Sequence, residues 1–312
     1  MAYDAKLLAD SISPNGIRLV SMEATYPRFI HSEVLTHRVY SRNSSSSRAI
    51  PIEKMIKQVV DDPVIPVRWG KNQKGMQAFE ELSKESKKAA EIIWLKARDE
   101  AVNKAYSLLN CGVHKQLVNR ILEPWMWITI IITGTEWDNF INLRTDKDAQ
   151  PEIQTLVATL RSLYYGYTKP QPPKYGGWHL PFITDEDERA SLFQNPNSNE
   201  IVSDKEAVDW LKRVSAGRCA RVSYLTHDGK RDHQADIELC KLLLSGGHYS
   251  PLEHQARPMT EDDLFSGLAM LPFESPPYAG NMPSIKKAFC GNFRGWISFR
   301  KEIPNEAVWF PG

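Results

Sequence analysis

The chain has 312 residues, 42% hydrophobic and 25% charged, which is the balance of a globular protein with a sizeable core and excludes disordered and fibrous classes. Lys and Arg total 39 against 38 Asp and Glu, so the net charge of +1 excludes a global basic excess for nucleic acid or anionic membranes, and an anionic ligand must be met by a local cluster. Cys111, Cys219, Cys240 and Cys290 fall at wide spacings with no CxxC pair, against both a disulfide framework and a zinc site.

The start, MAYDAKLLAD, lacks the basic-then-apolar layout of a signal peptide. The longest apolar run, Trp125 to Thr133, is far short of the roughly 20 residues of a membrane span. A cytoplasmic protein with reduced thiols is expected. Residues 17–30 partly alternate and predict a strand ending in a turn at Tyr26-Pro27; a short helix from Phe29 to Leu35 follows. Four consecutive serines make 36–51 a polar loop. The spacing of Met76, Phe79, Leu82, Ala89, Ile93, Ala97, Ala101 and Ala105 predicts a helix over 76–109, closed by Asn110 to Gly112. A second helix over 113–122 stops at Pro124. Residues 127–133 (WITIIIT) fit a buried strand by β-branching, but a short apolar run fits a buried helix equally.

Pro151 opens a helix over 150–165, which Gly166 ends. Pro, Gly and Asn enrich 168–182 and 191–200, a linker or a long functional loop. Helices are predicted at 203–214 and 232–245, the second closed by Gly246-Gly247; a proline-rich stretch at 271–283 precedes a strand-like FRGWISFRKEI.

The familiar cofactor motifs GxGxxG, GxxxxGK[ST] and HExxH are absent, and no histidine pair has metal-ligand spacing, so no metal is expected. The loop from Thr36 to Arg48 gathers His37, Arg38, Arg42 and Arg48 around Ser41, Asn43 and Ser44 to Ser47. Guanidinium forks bind phosphate bidentately, and hydroxyls supply further donors; the competing reading is a flexible Ser-rich linker. A second cluster, Asn139 to Gln150, places Asn139 and Arg144 just before the positive end of the helix that starts near Pro151, or is an ordinary capping segment. A third, Cys219-Ala-Arg221-Val-Ser223-Tyr224 followed by Gly246-Gly-His248-Tyr-Ser-Pro251-Leu-Glu253-His254, reads alone as a turn plus polar strand.

Together these clusters resemble the flavin-dependent thymidylate synthase family (thymidylate synthase complementing protein). The family's RHRxxSxNExSxRY looks like Thr36-His37-Arg38-Val-Tyr-Ser41-Arg-Asn43-Ser44-Ser-Ser46-Ser-Arg48-Ala49. Its NFLxLRxxxxAQxEI is similar to Asn139 to Arg144 followed by Ala149-Gln150-Pro-Glu152-Ile153, and its ARxxLP to the stretch around Arg120. Four positions depart: Thr36 for Arg, Ser44 for Glu, Ala49 for Tyr and Asp148 for His. The order departs too, because ARVS and GHxxPxEH precede the signature loop in the family but lie at 221–223 and 247–254 here, which looks like a circular permutation. The resemblance covers roughly 17–50, 76–165 and 216–258.

It implies an α+β fold, a mixed or antiparallel sheet flanked by long helices, in one catalytic domain over 1–312 with an inserted or linker segment at about 168–214. It further implies a homotetramer with FAD between subunits, NADPH as reductant, methylenetetrahydrofolate as one-carbon donor, and no membrane or nucleic-acid partner. The substrate implied is a pyrimidine deoxynucleotide monophosphate, held by Arg48, Arg120, Arg144, Ser46 and Glu33, with Arg144 and Ser46 at the chemistry. His37, Arg38, Asn43, Asn139, Ser223 and His254 are implied flavin contacts. The activity implied is C5 methylation of dUMP. The altered loop keeps C5 hydroxymethylation of dUMP or dCMP as an alternative, and a non-catalytic nucleotide-binding homologue is the alternative of another class.

Overall fold

Side-chain alternation and β-branching decide the ambiguous run after Pro124 in favour of a strand. The computed structural model describes residues 3–166, 169–193, 201–222, 232–270, 284–304 and 306. Its main sheet holds β1 (Asp4–Ile12), β2 (Arg18–Pro27), β3 (Ser41–Ser44) and β4 (Trp127–Gly134), all antiparallel, in the order β1-β2-β4-β3. A helical turn, α1 (His31–Leu35), links β2 to β3. Then come α2 (Ile52–Asp61), α3 (Lys84–Asn110), α4 (Lys115–Val118) with a 3-10 stretch at Asn119–Trp125, α5 (Asp138–Thr145) and α6 (Pro151–Tyr164). The second half carries α7 (Asp185–Ser191), α8 (Asp204–Arg221), α9 (His233–Ser245) and the short strands β5 (Ala256–Pro258), β6 (Phe289–Cys290), β7 (Phe293–Arg294) and β8 (Trp296–Ser298). The family-implied fold class, α+β with an antiparallel sheet and helices, is the one observed.

The two faces of the sheet have different chemistry. Val20, Met22, Ala24 and Tyr26 of β2 and Ile128, Ile130 and Ile132 of β4 share one face, where α5 and α6 cover them with Phe140, Ile141, Ile153, Leu156, Val157 and Leu160. On the other face Ile131 packs against Cys219 and Val222 at the end of α8. The Tyr40 ring crosses Gly134 so closely that a Cβ there would lie 2.4 Å from it. Glycine is therefore required at that end of β4.

Several boundaries differ from the sequence reading, each for a local reason. The helix expected from residue 76 starts at Lys84, because the Ser83 hydroxyl caps it by accepting the Ser86 N–H. The segment before it folds on itself through an antiparallel bridge between Gly70 and Glu81, leaving Met76 98% exposed instead of on a helix face. Cys219 to Arg221 belong to α8, not to a turn and strand. The helix runs on past 214 because Arg218 pairs with Asp187 and Asp236, and Arg221 with Asp236, all over short buried contacts. The polar loop contains β3, Asn139 to Arg144 form a helix of their own, α5, ahead of the expected helix at Pro151, and β1 and α2 carried no prediction. The prolines at 271–283 and all of 194–200 lie outside the described residues.

A neutral polar chain runs under the second face. The Ser11 and Ser21 hydroxyls flank the His179 ring at 2.9 and 2.8 Å; Ser21 meets Thr133 at 2.6 Å, and Thr133 meets His254 Nδ1 at 2.8 Å. Burial pushes both imidazoles down to about 3, His179 further helped by its neighbour His254. An unfolded histidine titrates near 6.5, so between about pH 6.5 and pH 3 the unfolded chain binds protons that the native chain refuses. Stability therefore falls as pH drops through that window. The urea midpoint should decrease steadily from pH 7 to pH 5, and His179→Gln should flatten the slope by about one proton.

Candidate active site

The last turn of α1 collects two arginines from elsewhere in the fold. Arg42, on β3, donates Nη1–H to the carbonyl oxygens of Leu35 (2.7 Å) and His37 (3.3 Å). Arg144, near the end of α5, donates Nη2–H to the Thr36 hydroxyl (2.8 Å) and the Glu33 carbonyl (3.3 Å), and Nε–H to His37 Nε2 (3.2 Å). The free carbonyls at the end of a short helix are natural acceptors for such cations. None of these acceptors carries a charge.

Among the described residues, no carboxylate lies within ion-pair distance of Arg38, Arg42, Arg48 or Arg144. Glu253, whose charge reaches Arg42, is itself bonded to Arg300. Burial, then the Arg144 and Arg42 cations, push His37 below its usual range, so its ring is neutral at pH 7. With Nε2 accepting from Arg144, the ring proton sits on Nδ1. The Phe140 ring supports His37 edge-on, centroids 4.6 Å apart.

The far end of the serine loop is fastened separately. Buried Asn119 donates from Nδ2 to the Ser47 (2.6 Å) and Ile50 (3.0 Å) carbonyls, and Lys115 to that of Ala49 (2.9 Å). Glu123 Oε1 accepts from Arg120 (2.6 Å) and the Ser47 hydroxyl (3.2 Å) and lies 3.6 Å from Arg28. Beside it a cavity of about 380 Å³ is bordered by Arg28, His31, Ser32, Leu35 and Glu123. Burial, with the Arg28 and Arg42 charges, lowers His31 to about 4. A roomier cavity of about 610 Å³ lies between segment 66–79 and the start of α6 and shares Phe29 as a wall, but none of the clustered arginines lines it.

The structure thus brings His37, Arg144 and the Glu33 backbone together. Arg38 and Arg48 are exposed on the same loop and Ser46 is half-buried between them. Arg120 stands with Glu123, and Asn139 is exposed on α5. Asn43 and His254 are not brought to this cluster. Asn43 pairs with Ile131 in register and donates to the Cys219 carbonyl at 2.7 Å, and His254 is buried under Thr133, so both lie on the opposite face. Ser223 lies outside the described residues. Arg42, read as one of the loop's guanidiniums, and Thr36, read as a departure from the family pattern, join the site without having been given a specific role; Glu123 carried only the signal of its three-residue spacing from Arg120.

The rim of this antiparallel sheet in an α+β fold thus carries a cation cluster held by neutral acceptors. Residues 19–165 match the family model of thymidylate synthase complementing protein. No curated protein matches the chain. Among solved structures it is similar to a UMP/dUMP methylase, PolB from Streptomyces cacaoi. The form bound with 5-Br UMP is 15% identical, covers 52% of this chain and 88% of that chain, and has a TM-score of 0.42. The form bound with 5-Br dUMP is 16% identical, covers 49% and 69%, and has a TM-score of 0.40. Among the described residues no helix is long and apolar enough to cross a membrane.

The Asn119 clamp has a measurable consequence. Asn119→Ala leaves two buried carbonyls without a partner, which costs roughly 1–3 kcal/mol each. A denaturant midpoint lowered by about 2 kcal/mol or more, with faster proteolysis between Ser44 and Ile50, is the expected result.

Proposed function

We propose that the chain transfers a one-carbon unit to C5 of dUMP to give dTMP, as a flavin-dependent enzyme of the family matched over 19–165, using FAD, NADPH and methylenetetrahydrofolate. The observation that carries this reading is the set of arginines free of carboxylate partners, His37 between two of them, inside the matched segment. Such a donor set fits the oxygen-rich, anionic groups of a nucleotide or a flavin pyrophosphate. When bound, the flavin would supply reducing equivalents and the folate the one-carbon unit.

The residues of this chain do the rest. Arg48 and Arg120 bind the nucleotide phosphate, with Ser46 against the nucleotide and Glu33 shaping the pocket through its carbonyl. Arg144 faces the pyrimidine carbonyl, where a cation stabilises the negative charge that develops as C5 becomes nucleophilic. His37 and Arg38 face the flavin, with Asn139 beside them. Asn43 and His254, on the opposite face, would reach a flavin only in a site shared between subunits. The exposed face of α3, with Ile93 67% exposed, supports assembly into the proposed homotetramer. Free thiols at all four cysteines support a cytoplasmic setting.

The permuted chain order belongs to the same reading. Ala256, just after His254, packs with Ile17 and Leu19 at the start of β2, the two pieces the family joins directly. Residues 169–193 connect here too, through the bridge between His179 and Ala256. C5 hydroxymethylation of dUMP or dCMP is the second reading, favoured by Thr36 and Asp148 standing where the family carries cations.

Mass analysis of the nucleotide after incubation with dUMP or dCMP, methylenetetrahydrofolate and reductant decides between methyl and hydroxymethyl products. A colourless protein that binds dUMP without turnover would point to the non-catalytic homologue. Arg144→Ala should leave folding and flavin content intact while lowering turnover by roughly 100-fold or more; unchanged turnover removes Arg144 from the chemistry. Arg48→Ala should raise the KM for dUMP about tenfold with kcat little changed, since a phosphate clamp binds ground and transition states alike. A change confined to flavin affinity would place Arg48 elsewhere.

A further inference from the structure

We infer that Thr36 is a positioning residue: its hydroxyl, fixed by the Glu33 carbonyl, holds the Arg144 guanidinium in the orientation that meets the ligand. The inference rests on the reading above for the ligand's identity and on geometry for the rest. Thr36 Oγ1 donates its single proton to the Glu33 carbonyl at 2.6 Å, which leaves only lone pairs toward Arg144. Arg144 Nη2 approaches that oxygen at 2.8 Å and shares the Glu33 carbonyl at 3.3 Å. Donor and acceptor roles are thus forced on both partners.

The third anchor is Nε, on His37 Nε2 at 3.2 Å. Protein acceptors hold Nε and Nη2, one edge of the fork, and Nη1 has no partner among the described residues. An arginine side chain has several rotatable bonds, and two anchored nitrogens fix both the plane of the guanidinium and the edge it presents. Because the anchors are a hydroxyl, a carbonyl and a neutral imidazole, the charge on the presented edge is not cancelled. Thr36 itself is exposed, so no demand of core packing explains the residue.

The test compares Thr36→Val, which keeps the shape and removes the hydroxyl, with Thr36→Ser, which keeps it. The first readout is the solvent-exchange rate of the Arg144 Nε–H in the ligand-free protein, followed by NMR and assigned through its loss in Arg144→Lys. Thr36→Val should speed exchange about fivefold and Thr36→Ser less than about twofold. With dUMP as substrate, Thr36→Val should lower kcat roughly tenfold with KM within about twofold, and Thr36→Ser should restore it. Unchanged exchange in Thr36→Val overturns the inference, and so does faster exchange with an unaltered kcat. Wild-type protein that neither binds nor turns over dUMP overturns the functional reading, and the exchange comparison still decides the role of Thr36.

Discussion

The site depends on one arrangement: the negative end of a five-residue helix, α1, gripped from two sides by guanidiniums that find no carboxylate there. Contrast Arg218, buried between Asp187 and Asp236 and also bonded to the Phe182 carbonyl. Its charge is cancelled in place, and it can only join α7, α8 and α9. Arg42 and Arg144 are also anchored by hydrogen bonds but keep their charge, because carbonyl, hydroxyl and imidazole acceptors carry only partial charges. Holding a half-buried cation without a counter-ion has an electrostatic cost, and an anionic ligand removes it. That difference separates the structural arginine from the receptive ones.

The grip in turn depends on the sheet. Arg42 reaches the α1 turn because β3 pairs with β4 in a register that sets Arg42 opposite Ile132, on the face of α5 and α6. A slip of one residue would send Arg42 under the sheet and bring Asn43 up. On the underside, three buried side chains are uncharged and hydrogen-bonded: Asn43 on a helix carbonyl, His179 between two serines, His254 on Thr133. The sheet therefore separates a rim of arginines from an underside that buries neutral imidazoles. Neutral imidazoles suit the underside because burial penalises their charged form.

Much of the site was legible in the sequence because its chemistry is concentrated in short segments. His37 and Arg144 are 107 residues apart, yet each sits in a dense polar stretch that composition alone makes unusual. The helix from 151 and the strand β2 were legible for the ordinary reason that each buries one face. What the sequence hid was tertiary. Met76 and Phe79 match the helical spacing of α3 but fall before its Ser83 cap, and an isolated bridge at Gly70 draws their segment elsewhere. Arg221 read as part of a turn and polar strand, and Arg218 carried no reading, because Asp187 and Asp236, which pair with them in α8, are remote in sequence. The sidedness of Asn43 was equally hidden, since alternation assigns a face only once the partner strand is known.

The departure at Thr36 makes physical sense beside Arg144. Two guanidiniums at hydrogen-bond range repel by about 1 kcal/mol in water and by more where half-buried, so an arginine at 36 would have to point away and leave Arg144 without its hydroxyl acceptor. A threonine removes that repulsion and returns Arg144 to the α1 turn. The cluster keeps its positive character through Arg38, Arg42 and Arg48, so what changes is less the net charge offered to a ligand than the rigidity with which one guanidinium presents it. Discrimination between closely related ligands depends on such rigidity more than on charge, because a loosely held cation can follow whichever carbonyl or amino group arrives.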